Sequence, residues 1–236
     1  MFVSKLDSGL TYSLSLAFSN EDLQRIYASG SNVVIAKPAG GSTPNVAWLV
    51  VRPLPSNTIT WQEQYGIYMS NTEIINGATL VQSASTSSNA SPDTMYTMEP
   101  SGTISGPVTS GGTQGAFSIQ NEYNNLPKGY LTTGLFQSAN VDGTLATGNA
   151  VSAATCLYNS TAVMTPYTTV YLWIASSVVS NTVVTHITSP MTQVTFGGSV
   201  TSVSLVYDAT SGTFLPASGQ SISLGHGIQH IEPRLR

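Results

Sequence analysis

The sequence predicts an all-β fold: an antiparallel β-sandwich (jelly-roll-like) or a barrel with one short N-terminal helix. Three observations carry that prediction. Ten or more short segments alternate apolar and polar residues or carry β-branched and aromatic runs. Glycine- or proline-bearing turns separate them at fairly regular spacing. Apolar residues make up 41% of the chain, enough for a packed core and too many for a disordered polymer. Sandwiches and barrels of this length occur as single units, so residues 1–236 are read as a single all-β domain.

Thr11 to Phe18 alternates cleanly, with Tyr12, Leu14, Leu16 and Phe18 on one side, the mark of a half-buried strand. It ends at a helix start: Ser19 or Asn20 can cap, and Glu21 and Asp22 suit the first turn. Leu23, Ile26 and Tyr27 then share one helical face, and Gly30 supplies a stop. Val33 to Ala36 is a brief strand, and 37–44 is a loop by its glycines and prolines. Val46 to Val51 is apolar throughout, as expected of a strand in mid-sheet with both sides covered. Pro53 and Pro55 end it.

Ile59 to Met69 gives the clearest alternation. Ile59, Trp61, Tyr65, Ile67 and Met69 share a face, and Glu63 interrupts it. Ala78 to Gln82 begins another strand. The Ser/Thr/Gly/Pro-rich stretch 83–115 reads as either a long surface loop or weakly amphipathic ribbons. Strands follow at Phe117–Ile119, Tyr130–Phe136 and Val151–Tyr158, with a turn at Asp142-Gly143. Further strands are expected at Tyr167–Ala175, Val178–Ile187, Gln193–Phe196, Ser202–Tyr207 and Ser221–Leu224. Turns fall at Gly197-Gly198 and Ser211-Gly212.

Charge is scarce. Asp, Glu, Lys and Arg supply 8% of residues, against about 25% in an average soluble domain. None occurs from Gly143 through Tyr207, so hydroxyls and amides must furnish the polar surface. The net charge of −4 with seven scattered Lys and Arg speaks against nucleic acid as a partner, because phosphate binding needs a set of cations. It speaks equally against a basic lipid-binding patch. No apolar stretch is long enough for a transmembrane helix. The N-terminus lacks the pattern of a signal peptide, so the expected location is cytoplasmic as synthesised, with release by lysis left open. Cys156 is the only cysteine. It excludes an intramolecular disulfide and a Cys-rich zinc site, and it reads as a small buried hydrophobe.

Candidate chemistry is thin. His226, His230 and Glu232 share one face if the C-terminal segment is extended, and such a set suits a divalent ion. Yet His226 and His230 would lie about 13 Å apart along a straight strand, so the set needs a bend at Gly225 or Gly227. The expectation is a protein without cofactor. Glu63, flanked by aromatic residues, needs a partner if it is charged, and Arg52 is the expected one. A general acid is its functional reading, with no second carboxylate to match. No serine-nucleophile, phosphate-loop or dinucleotide motif occurs.

The aromatic residues are more informative. Tyr167, Tyr171 and Trp173 line one strand face beside Thr169, and they form either a stacking platform or the core between two sheets. Tyr123, Asn124 and Tyr130, with Asn121 and Asn125, form a second candidate cluster in a loop. Together they favour a non-enzymatic, lectin-like binding protein for a carbohydrate or cell-surface ligand. Two alternatives stand beside it. One is a β-pore-forming or membrane-acting toxin, suggested by 83–115. The other is a self-assembling structural or inclusion protein, suggested by uncharged strand edges; homo-oligomers would follow from it.

Overall fold

The computed structural model describes residues 9–41, 43–126 and 128–217 and the backbone of Gln229–Ile231. Strand β1 (Thr11–Ala17) forms where the alternation is cleanest, burying Tyr12, Leu14 and Leu16. Ser19 caps α1 (Asn20–Ala28), its hydroxyl accepting from the Asp22 amide at 3.1 Å, and Leu23 and Ile26 seal the helix onto the core. Gly30 then takes a φ of +63°, a conformation open to a residue without Cβ, and turns the chain into β2 (Ser31–Ala36).

The chain continues through β3 (Val46–Ala47), β4 (Leu49–Val51), β5 (Ser56–Gln62), β6 (Gly66–Ser70) and β7 (Ala84–Ser85). Next come β8 (Met95–Met98), β9 (Ile104–Val108), β10 (Phe117–Asn121), the long β11 (Tyr130–Val141), β12 (Thr144–Ala150), β13 (Ala154–Leu157) and β14 (Thr161–Met164). The described strands end with β15 (Thr169–Ser176), β16 (Thr182–Val183), β17 (Met191–Thr195), β18 (Ser202–Asp208), β19 (Thr213–Pro216) and β20 (Gln229–Ile231).

These strands form stacked sheets with no closed barrel, the sandwich alternative of the sequence reading. A nine-stranded sheet runs β19-β18-β1-β5-β11-β6-β7, with β12 and β13 along the other edge of β11. A five-stranded sheet runs β20-β17-β15-β2-β4, a four-stranded one β14-β10-β8-β9, and β16 pairs with β3. Most pairings are antiparallel, but β1–β18 and β8–β10 are parallel. Parallel neighbours need long connections, and β1 and β18 come from opposite ends of the chain.

The main apolar cluster draws on residues from Tyr12 to Phe214. At its centre Trp61 meets Phe196, Trp48 and Tyr12 at ring-centroid distances of 5.0, 5.6 and 5.9 Å. Val33 and Ile35 of β2 face this cluster, while Val34 and Ala36 face a second one with Tyr171 and Trp173. Strand β2 is therefore covered on both sides, which accounts for its unbroken apolar sequence.

Four expectations need correction. Val46–Val51 is not one mid-sheet strand. It breaks at Trp48, whose indole N–H donates to the Gln137 carbonyl at 3.0 Å, and β4 lies at a sheet edge. Ile59–Met69 is two strands, β5 and β6, as described below. Ala78–Gln82 and Val178–Ile187 contribute only the Thr79–Thr182 bridge and the short β16; positive φ at Asn181 bends the second segment, and Gly77, just before the first, turns the chain into it. Strand β12 was not anticipated. The segment 83–115 takes the ribbon form, as β7, β8 and β9, and buries Tyr96 and Met98.

Candidate functional site

Strands β5 and β6 lie end to end along β11. Ala139 faces Trp61, whereas Phe136 faces Gly66. Three steps along β11 are therefore matched by five on the opposite chain. The surplus is a bulge at Glu63-Gln64, across from Gln137 and Ser138. Because the surplus is two residues, the period of a strand, Glu63 keeps the inward side it shares with Trp61 and Tyr65, and it is 3% exposed.

Its partner is Lys37, not Arg52. Lys37 directly follows β2, and its apolar predecessors carry the chain into the core. The Lys37 and Glu63 side chains are each 1% exposed. The ammonium spends its three protons on Glu63 Oε1 at 2.8 Å, the Tyr65 hydroxyl at 2.7 Å and Gln137 Oε1 at 3.0 Å. Glu63 also accepts from Trp61 Nε1 at 2.9 Å and from the Tyr65 hydroxyl at 2.7 Å. Gln137 in turn donates to the Gln62 carbonyl at 2.6 Å. The Lys37 nitrogen lies 5.0, 5.4 and 5.5 Å from the ring centroids of Tyr65, Trp48 and Trp61, within cation–π range of all three. Arg52, meanwhile, is exposed and stacks over the Tyr27 ring at 5.0 Å.

Burial shapes the titration of this site. It pulls the Lys37 ammonium below its ordinary value, and the charge and hydrogen bond of Glu63 offset part of that shift. It pushes the Tyr65 phenol well above its ordinary value, with the neighbouring Glu63 charge adding to the effect. These are the directions expected when a low-dielectric interior disfavours the charged form of a base and of an acid.

Two recesses border the bulge, and both are lined in part by Gln64. One, of about 300 Å³, is flanked by Thr60, Trp61, Gln62, Asn140 and Leu145. The other, of about 220 Å³, is flanked by Glu63, Tyr65, Asn89, Ser91 and Phe117.

Apart from Glu63, the residues singled out from the sequence as ligand- or metal-binding candidates fall elsewhere. Tyr171 and Trp173 are 5% and 3% exposed and pack with Val34, Ala36, Ala47, Val184 and Met191, so that strand face lies in the core. Tyr167, just before β15, is half-buried. Tyr123 is half-buried against the main cluster, Asn124 is exposed, and Tyr130 opens β11 opposite Leu157. The two candidate groups thus belong to different clusters. Of the histidine–carboxylate set, His230 contributes a backbone pairing with Thr192; its side chain, His226 and Glu232 lie outside the described residues. Among the described residues no three His, Cys, Asp or Glu side chains gather as a metal site. Cys156 is buried in β13, and burial raises its thiol pKa, with Ser160 partly offsetting the rise.

Sequence reasoning missed Lys37 and Gln137. One signal was present: a lone lysine directly after the apolar run Val33–Ala36, in a chain that otherwise avoids charge. Compared with known protein families, curated proteins and solved structures, the chain matches none.

Proposed function

We propose that this chain is a non-enzymatic binding protein for a neutral, hydroxyl-rich ligand such as a carbohydrate or the glycan of a cell-surface molecule. The supporting observation is the larger recess beside Gln64. The amide- and hydroxyl-bearing residues Thr60, Gln62, Gln64 and Asn140 border it together with Trp61, Ala139 and Leu145, and among the described residues no charged one lines it. Sugars present C–H faces that rest on apolar groups and hydroxyls that pair with amides. Lys37 and Glu63 are not among the residues that line this recess, so they do not face a ligand there as acid and base.

A glycan array tests the reading. Binding should be competed by the free sugar and abolished by Gln64→Ala, at an unchanged melting temperature. A blank array at high protein concentration would retire it. Self-association is the second reading. It is favoured by β14, an edge strand among the described residues that carries no charge and exposes Val163, and by the exposed Leu157 and Tyr158 just before it; light scattering over a wide concentration range separates the two.

A further inference from the structure

We infer that Lys37 and Gln137 become joined by an intramolecular isopeptide bond, with Glu63 as proton carrier, so that the mature protein holds a covalent link between its five-stranded and nine-stranded sheets. An amine, a carboxamide and a carboxylate meet here in one closed space. The Lys37 nitrogen is 3.0 Å from the Gln137 carboxamide oxygen and 2.8 Å from Glu63 Oε1. Lys37 and Gln137 are each 1% exposed and Glu63 3%. The contact with Gln137 is a hydrogen bond to its oxygen, so the amine must turn from that oxygen to the adjacent Cδ; once it does, groups confined together react as if at very high concentration.

The atoms balance without any co-reactant. Glu63 takes one proton from the Lys37 ammonium and leaves a neutral amine. The amine lone pair attacks Gln137 Cδ and forms the N–C bond. The tetrahedral carbon then expels its original nitrogen. That nitrogen leaves as ammonium, carrying the two protons shed by Lys37, one of them by way of Glu63, which ends as it began. The recess bordered by Glu63 and Tyr65 gives the ammonium a way out. The surroundings favour the first step, since burial lowers the proton affinity of Lys37 and desolvated lysines are the nucleophilic ones. Trp61 Nε1 and the Tyr65 hydroxyl hold the carboxylate in place. The chain has a single cysteine, so this would be its internal covalent staple.

Intact-mass measurement of the folded, purified full chain, denatured just before analysis, tests the inference. The mass should fall short of the sequence by one ammonia, and a protease digest should yield one branched peptide joining Lys37 to Gln137. Lys37→Arg, Gln137→Met and Glu63→Gln should each carry the full sequence mass, with the same termini as the parent. A parent chain at full sequence mass after prolonged incubation overturns the inference. So does loss of one ammonia without the branched peptide, or loss of one water, which marks a Lys37–Glu63 amide instead. If a variant fails to fold by circular dichroism, the parent's mass and branched peptide decide alone.

Discussion

Two buried aromatic assemblies occupy opposite faces of β2, and they differ in what they enclose. Trp48, Trp61 and Tyr65 surround an ammonium and a carboxylate whose hydrogen bonds are met by other buried groups. Tyr171 and Trp173 pack on aliphatic side chains and a methionine. Along their strands both sets show the same alternation of rings. The difference teaches that spaced aromatic residues report burial in either case, while a single ionisable residue among them reports a polar interior. A buried charge costs several kcal/mol unless it is paired and hydrogen-bonded, so Glu63 could not stand alone in its row.

That contrast breaks most sharply at Lys37. In the chain before any Lys37–Gln137 link has formed, Lys37→Met should lower unfolding stability by about 3–5 kcal/mol, because it leaves the Glu63 carboxylate buried and unpaired. Adding Glu63→Leu to Lys37→Met should restore a substantial part of that loss, since no charge is then stranded. Urea unfolding of the two variants measures the difference, and an equal or greater loss in the double variant would contradict the pairing.

Alkaline unfolding sharpens the comparison. The Tyr65 phenol is held well above its ordinary 10.0. Above that pH the unfolded chain sheds a proton the folded chain keeps, so stability falls as pH rises from 10.0 toward the folded value. Each such proton is worth about 1.4 kcal/mol per pH unit. Tyr171 is also raised, by burial. Lys37 works in the opposite direction. While its amine is free, its folded value lies below 10.5, so its contribution improves with pH up to 10.5. Tyr65→Phe should remove more of the alkaline loss than Tyr171→Phe, as read from melting temperatures between pH 9 and pH 11, on either side of the ordinary phenol value of 10.0.

The smallest effect belongs to Arg52. It is exposed and stacked on Tyr27, so Arg52→Ala should cost only about 0.5–1 kcal/mol. A loss comparable to that of Lys37→Met would return Arg52 to the role of Glu63's partner.

The strands legible in the sequence were those with one wet and one dry face, such as β1, and those buried on both, such as β2 and β15. Strand β12 was not, because it is held by backbone pairing to β11 while Leu145 stays 65% exposed; no burial pattern marks it. The bulge was hidden for another reason. It adds two residues, the period of a strand, so Trp61, Glu63 and Tyr65 keep perfect alternation across it. The need of Glu63 for a partner was readable, but the choice of Lys37 was not. That lysine is 26 residues away in sequence, in a stretch whose glycines and prolines spell a surface loop, and only the packing of two sheets brings it inside.

The even size of that bulge makes the polar centre separable from the scaffold. Excising Glu63 and Gln64 together would join Gln62 to Tyr65 and leave every inward residue on either side still facing inward, whereas losing one of them would turn all of β6 inside out. A lineage of such chains could therefore gain or discard the carboxylate in one two-codon event while keeping its strand register, provided Lys37 changes with it, since its buried ammonium would otherwise lose its counter-charge.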